Sequence, residues 1–290
     1  MDSLLFVLNP IAGGGRAKDL EPLIEESMNK HKINYDIIFT TKPKEAVKIV
    51  EDSIHNTIIA VGGDGTVNEV AKGLINRKYG TLGIIPGGTG NDLSRSLGIS
   101  SDPIEAIKLI VEGNTKFIDI GNANGYQFLN IASFGFDAEV VKSASKFKKI
   151  VKGQMAYVLG VLFTLIKFRK KEVILEINGN EYKEKLVLLA VGNGKYYGGG
   201  MKILPKSKLD DGYLHLCLVK DASNLLLLVL FPTIFKGTHL KYKKYVEIFK
   251  TKEVKIKLRE PIIFNIDGEI ISGEKEIVFN LDGYKLPVIC

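Results

Sequence analysis

Apolar residues in the first 120 positions fall in short continuous runs, separated by longer stretches where they recur every three or four residues. Leu4–Leu8, Ile33–Phe39, Thr57–Val61 and Leu82–Ile85 read as strands. They are nearly all apolar rather than alternating, as expected where both faces of a sheet are covered. Lys18–Lys30, Lys44–Ser53 and Val67–Asn76 carry helical spacing between them, and Asp92–Leu97 and Pro103–Val111 follow as further helices. That alternation predicts a mainly parallel sheet with crossover helices. After Gly121 the rhythm changes. Glu172–Asn178, Glu181–Val191, Tyr213–Val219, Val254–Leu258, Ile262–Ile266 and Glu276–Phe279 read as strands joined by Asn-Gly, Asp-Gly and Gly-rich turns, the signature of a mostly antiparallel β domain. Two helical patterns interrupt it, Met155–Phe168 and Ser223–Phe235. There is no internal repeat and no low-complexity linker. An α/β domain over 1–120 and a β-rich domain over 121–279 are therefore expected to pack closely and share a cleft, with the tail over about 280–290 a candidate to return to the first domain.

Composition narrows the class. The chain has 290 residues, 45% of them apolar and 25% charged, which is ordinary for globular domains and excludes a disordered or fibrous chain. Two cysteines and four widely spaced histidines, at 31, 55, 215 and 239, offer neither a disulfide framework nor a Cys/His metal motif. The N-terminus shows no basic-then-apolar leader, so the cytoplasm is the simplest address. The longest apolar stretches fall short of the about 20 residues that a spanning helix requires.

Charge is unevenly placed within the net +7. Residues 1–120 carry 13 Lys/Arg against 16 Asp/Glu, a balance of −3, and residues 121–290 carry 27 against 17, a balance of +10. Lys236–Arg259 alone holds nine basic residues against Glu247 and Glu253. A basic surface attracts phosphate-bearing partners, anionic lipid headgroups among them, and a solvated, Lys-studded strand edge is the plainer alternative. Nucleic acid is set aside, because no recognised binding motif accompanies the charge and the first half is acidic.

Chemistry concentrates in three Gly-rich loops that follow the early strands, where open α/β sheets bind ligands. NPIAGGGRA (Asn9–Ala17) follows the first strand and brings backbone N–H groups and Arg16 to an anion. VGGDGTVNEV (Val61–Val70) opens a helix whose free N–H groups and dipole favour phosphate. Asp64 stands among those glycines and would repel phosphate unless a cation intervened, so Mg²⁺ is the economical reading, with a local turn hydrogen bond as the alternative. PGGTGNDLSRSLGI (Pro86–Ile99) supplies a second donor-rich turn. No Walker-type P-loop is present, and no loop fits the dinucleotide fingerprint with its downstream acid.

These motifs, in this order and spacing, resemble the diacylglycerol kinase catalytic-domain family, which includes bacterial lipid kinases and relatives of sphingosine kinases. The resemblance continues through VGNGKYYGGGMKILPKSKLDDGYL (Val191–Leu214) and NIDGE (Asn265–Glu269), so it covers nearly the whole chain. It implies an ATP-binding α/β domain, a β-sandwich-like second domain and a nucleotide cleft between them. Asn9, Pro10, Ile11, Ala12 and Gly13, Thr41, the segment Gly63, Asp64, Gly65, Thr66, Val67, Asn68 and Glu69, and Thr89 match its nucleotide-contacting motifs. Glu269 matches the base that takes the proton from the lipid hydroxyl. Asp64 and Asp119 match acidic positions of the catalytic Mg²⁺ network. Lys208 and Tyr213, through carbonyls, and Asp211, through its carboxylate, match a structural metal site.

The expected activity is transfer of the γ-phosphate of ATP to a lipid hydroxyl, most plausibly that of diacylglycerol, at a membrane surface that the enzyme visits peripherally from the cytoplasm. NAD kinases carry a similar GGDGT loop and are the neighbouring alternative, and a nucleotide- or lipid-binding module without turnover is the alternative from a different class. Two segments bear on the membrane and on assembly. Met155–Phe168, flanked by KFKKIVK and KFRKK, fits either an interfacial helix or core burial. An exposed edge strand in the β half leaves a homodimer open.

Overall fold

The structure, a computed structural model, describes residues 3–135, 140, 160, 164, 170–261, 263–271 and 273–290. The chain divides into two compact units: Met1–Ile120 with Gly198–Gly200 and Asp282–Cys290, and Gly121–Tyr197 with Met201–Leu281.

In the first unit the apolar runs become β1 (Leu4–Leu8), β2 (Tyr35–Phe39), β3 (Thr57–Gly62) and β4 (Thr81–Pro86), all parallel, in the order β2-β1-β3-β4. β1, β3 and β4 are buried almost throughout, whereas the edge strand β2 is only half-buried. Helices α1 (Glu21–His31), α2 (Glu45–Glu51), α3 (Asp64–Arg77), α4 (Asp92–Leu97) and α5 (Pro103–Glu112) make the connections. The helix expected from Lys18 begins instead as a 3₁₀ turn at Lys18–Leu20, and Pro22 lies in the first turn of α1, where its missing N–H costs nothing. Asp102 caps α5 by accepting from Ile104 N at 2.9 Å. Two strands complete the sheet: β5 (Thr115–Ile118), and the chain's last strand, Leu286–Ile289, which inserts between β4 and β5, parallel to β4 and antiparallel to β5.

The second unit is an eleven-stranded antiparallel sheet that curls on itself. Its first strands are β6 (Gly121–Ala123), β7 (Tyr126–Phe128), β8 (Ile131–Gly135), β9 (Lys171–Ile177) and β10 (Asn180–Gly192). β10 organises the rest. Its first half alternates half-buried and exposed residues and pairs with β9; its second half is buried on both faces and pairs with β8 and with β11 (Leu214–Lys220), the register shifting between Leu186 and Leu188. β12 (Val246–Thr251) extends the β11 edge. β13 (Glu253–Leu258), β14 (Phe264–Ile266), β15 (Glu269–Ile271) and β16 (Glu276–Leu281) complete the curl. One face of β10 closes a core containing Phe128, Phe134, Phe264 and Phe279. The other packs, with Cys217 and Val219, beneath the helix Asn224–Phe235. The expected fold class therefore holds: a mainly parallel α/β unit and an antiparallel, sandwich-like unit. Apart from Gly160 and Thr164, the expected helix Met155–Phe168 lies outside the described residues.

Candidate functional site

Strand order locates the first site. The connection after β1 runs outward to β2, while β3 lies on the other side of β1, so the sheet has its topological switch between β1 and β3, and ligands bind outside the carboxyl ends of such a pair. Asn9 follows β1 and Thr66 sits in the first turn of α3 after β3, and Asn9 Nδ2 donates to Thr66 Oγ1 at 3.2 Å across the crevice. Asn9 Oδ1 accepts from Ile11 N at 3.2 Å, which turns the loop back over the strand. A pocket of ≈ 670 Å³ opens here, a size ordinary for small-molecule sites. Asn9, Pro10, Ile11, Thr41, Gly65, Thr66 and Glu69 line it, together with Lys18 and Lys42. The sequence-predicted residues Val67, Asn68, Ala12, Gly13, Gly63, Asp64 and Thr89 do not line it; Val67 is a core side chain, Asn68 lies with it in α3, and the others belong to the neighbouring loops and the start of α3.

The three Gly-rich loops interlock by direct backbone contact. Gly13 has φ 62°, and a Cβ there would lie 2.1 Å from the carbonyl oxygen of Gly87. A Cβ on Gly88 would lie 2.4 Å from Cα of Gly63. Only glycine permits these approaches.

Carboxylates fix the remaining geometry. Glu69 accepts from Lys44 N at 2.8 Å and Ala46 N at 3.3 Å, which holds the start of α2 against α3. Glu45 Oε2 in turn accepts from the N and Oγ1 of Thr41 at 2.5 and 3.0 Å, so Thr41 is set at the pocket mouth by the helix that follows it. Asp64, first residue of α3, accepts from Asn91 N at 2.8 Å and from Asp92 N at 2.6 Å. The bond is therefore not a local turn: Asp64 docks the third loop onto the second. Asp92, which sequence reasoning passed over, is buried and accepts from Gly199 N at 2.8 Å and Gly200 N at 2.7 Å. Burial, and then the charge of Asp64, push its carboxyl up to about 6, against the favourable pull of the two glycine amides. Gly199 and Gly200 of GNGKYYGGG thus close around a carboxylate.

Two adjacent, mutually repelling carboxylates are a donor set that fits a hard divalent cation, since Mg²⁺ is typically held by one or two carboxylates together with phosphate oxygens and water. Asp64 and Asp92 are that pair. Asp119 does not join them. Its neighbour Ile118 pairs with Leu286, and Val288 pairs with Leu82, so Asp119 lies at the amino-terminal edge of the parallel strands, the length of β4 or about 20 Å from the Gly-rich loops. There its buried carboxylate meets Lys285 Nζ at 2.7 Å. The expected place for Asp119 in a Mg²⁺ network is corrected to a structural ion pair.

The second unit holds the remaining predicted residues. Asp267 and Gly268, at φ 45° and 93°, form the two-residue turn between β14 and β15, and Glu269 opens β15 with its side chain exposed. Asp267 accepts from the amides of Leu129, Asn130 and Ile131 at 2.7, 3.1 and 2.8 Å, so this hairpin is anchored to the start of β8. At KLDDGY, Asp211 Oδ2 meets Lys250 Nζ at 3.0 Å and His215 Nε2 at 3.1 Å, and Oδ1 accepts from Tyr213 N at 3.2 Å. Burial alone would raise the Asp211 carboxyl; the hydrogen bonds from Lys250 and His215 outweigh it and hold the group low. Lys250 Nζ also sits 4.1 Å from the centre of the Tyr213 ring. As they stand, the cation at the Asp211 carboxylate is the Lys250 ammonium, and Lys208, expected as a ligand through its carbonyl, lies three residues away in the chain. Among the described residues no group of three or more His, Cys, Asp or Glu is clustered for a metal.

Comparison with known proteins gives this geometry a family. Residues 3–123 match the diacylglycerol kinase catalytic domain, and residues 130–284 match the YegS C-terminal NAD kinase β-sandwich-like domain. A diacylglycerol kinase of Staphylococcus carnosus is 31% identical over 91% of this chain and 87% of its own length. The chain belongs to the diacylglycerol kinase family. A Bacillus subtilis diacylglycerol kinase is 36% identical over 75% of this chain and 73% of its own. The crystal structure of a diacylglycerol kinase of Bacillus anthracis superposes with a TM-score of 0.77 at 27% identity, covering 99% of this chain and 96% of that one. Membership makes the chain a kinase of a lipid or small molecule. Among the described residues no helix is long and apolar enough to cross a membrane.

Proposed function

We propose that this member of the diacylglycerol kinase family transfers the γ-phosphate of ATP to a lipid hydroxyl, with diacylglycerol as acceptor and phosphatidic acid as product. The observation that carries the nucleotide half is the switch-point pocket: Asn9 and Thr66 bridge its floor, the exposed Gly65 leaves the N-terminus of α3 open to phosphate, and Lys18 and Lys42 stand at its wall. The acceptor rests on the relatives' names and on the DGE hairpin. Its Asp267-Gly268 turn is anchored to the amides of Leu129 and Ile131, which supports the backbone from which the exposed Glu269 projects.

In the reaction the lipid oxygen bonds to the γ-phosphorus as the bridging β–γ bond breaks, ADP leaves, and the hydroxyl proton passes to Glu269. Asp64 and Asp92 would hold Mg²⁺, which when bound supplies neutralisation of the phosphate charge. Backbone amides of the second and third loops orient that charge, and Asn9 and Thr41 fix the nucleotide.

Labelled-ATP transfer in Mg²⁺-containing mixed micelles, with diacylglycerol, sphingoid base, phosphatidylglycerol and an isoprenoid alcohol in parallel, and NAD as a soluble acceptor, tests the reading. Label in phosphatidic acid supports it, and label on NAD instead assigns the kinase to a small-molecule substrate, the reading that the NAD kinase-like β sandwich favours. Glu269→Gln is expected to lower turnover by roughly 10²- to 10⁴-fold while nucleotide binding is retained. Full turnover in that variant removes Glu269 as the base.

A further inference from the structure

The helix Asn224–Phe235, NLLLLVLFPTIF, is apolar on two opposite faces. Leu227 and Leu230 enter the core beneath β10 and β11, with Leu226, Phe231 and Ile234 packed beside them. The opposite face is open: Leu225, Leu228, Val229 and Phe235 are 75, 42, 56 and 47% exposed, and Pro232 is exposed among them. Positions 225, 228, 229 and 232 recur at i, i+3, i+4 and i+7, so they form one continuous stripe along the helix and not scattered single residues. A stripe of this kind is costly in water and marks a surface that meets an apolar partner.

What lies next to it identifies the partner. Residues 222–246 contain no Asp or Glu, and Lys236, Lys241, Lys243 and Lys244 follow the helix directly. All four lysines are exposed, and none makes an ion pair among the described residues. The flanking acids are already engaged, Asp221 with Lys170 and Glu247 with Lys220. Tyr242, exposed between these lysines, is an aromatic of the kind that settles at membrane-water interfaces. Helix capping keeps the element in place without lipid: Ser223 Oγ accepts from Leu226 N at 3.2 Å, and Lys202 N and Gly237 N donate to Ile234 O at 3.1 and 3.0 Å. An apolar stripe continuous with cations that lack acidic partners complements an anionic lipid surface, whose headgroups meet the lysines while its acyl boundary receives the leucines.

We infer that the open face of Asn224–Phe235, with Lys236–Lys244, docks the protein flat on an anionic bilayer. As a route to a membrane-resident substrate, docking rests on the lipid-kinase reading; as binding it is measured without nucleotide or acceptor, so loss of one leaves the other standing. The probe is flotation with phosphatidylcholine vesicles with and without phosphatidylglycerol. Wild type is expected to float with the anionic vesicles only. Leu228→Ser/Val229→Ser should weaken partitioning by about tenfold or more, and Lys243→Gln/Lys244→Gln by roughly fivefold per lysine. Both doubles change exposed residues, so an unaltered melting temperature is expected of each.

The chain has no tryptophan, so Val229→Trp places a unique fluorophore on the stripe. Its emission should shift to the blue and be quenched by brominated lipid on anionic vesicles. Vesicle binding without any shift in the emission of the Val229→Trp variant would overturn the inference, as would flotation that survives both double variants. Concentration-dependent blue emission without lipid, accompanied by a doubled mass in solution, would assign the face to a second copy of the chain instead.

Discussion

Replacing Asp92 by Asn should change how the stability of the metal-free protein depends on pH. In the folded chain burial and the neighbouring Asp64 hold the Asp92 carboxyl at about 6, against an ordinary 3.8. A carboxyl raised on folding contributes stability that is complete below its unfolded value and is lost as pH rises through its folded one. The difference between 3.8 and about 6 corresponds to on the order of 3 kcal/mol. Asp92 is only 5% exposed, so solvent screening does little to reduce that figure. Asn cannot ionise, and the loss of one glycine hydrogen bond in the variant is an offset independent of pH. Urea unfolding of wild type and Asp92→Asn in parallel, from about pH 3 to about pH 8, isolates the group. Wild type should lose about 3 kcal/mol relative to the variant over that window. A flat difference, or one in which wild type gains with rising pH, refutes the buried-carboxylate account. Adding Mg²⁺ and nucleotide should then shrink the wild-type loss, because a cation between Asp64 and Asp92 favours both charged forms.

Three further outcomes follow from the same contacts. Gly13→Ala forces a side chain into the Gly87 carbonyl at a positive φ, and equilibrium dialysis should show nucleotide affinity lost together with about 1–3 kcal/mol of stability. Asp119→Asn should cost about 1–3 kcal/mol in a melting experiment while kcat per folded molecule stays within twofold or so; a hundredfold fall in kcat would return Asp119 to the catalytic network. Lys250→Met should cost about 1 kcal/mol, discounted for the half-exposed ammonium, and should make the melting temperature responsive to millimolar Mg²⁺ as Asp211 is freed. If wild type is already stabilised by Mg²⁺ and Asp211→Asn abolishes that stabilisation, Lys250 does not stand in for a cation.

The parallel sheet was legible because its strands are buried on both faces and announce themselves as unbroken apolar runs, Thr57–Val61 and Leu82–Ile85 above all. The strands that escaped notice are short or poorly patterned. Gly121–Ala123 and Tyr126–Phe128 are three residues each, and Thr115–Ile118 exposes three of its four side chains. No periodicity survives over such spans. Val246–Thr251 lay hidden inside the basic stretch, where its lysine and glutamate read as surface charge. The three loops were legible as glycine clusters following strands, and family position singled out Glu269, which turn chemistry alone would have passed over. What decides their geometry was not legible, because each key contact joins segments far apart in the chain: Asp92 to Gly199 and Gly200, Asp119 to Lys285, Asp211 to Lys250.

Those long-range contacts share one chemistry, and it revises what an acidic residue in a phosphate-binding loop signifies. Asp64, Asp92, Glu69 and Asp267 each use carboxylate oxygens to accept backbone N–H groups from another segment. A glycine-rich turn is floppy by composition, and its amides present a defined anion site only when the turn is held from outside. Carboxylates do this without side-chain donors that would compete for phosphate. They take the amides of Asn91 and Asp92 and leave Gly65 exposed at the pocket. The same charges that secure the loops would oppose a triphosphate, so the arrangement requires a counter-ion when nucleotide arrives. On the proposed reading Mg²⁺ would be coupled to nucleotide binding through these same carboxylates, and Asp92, whose carboxyl burial and Asp64 push up to about 6, is the residue where that coupling should be measurable.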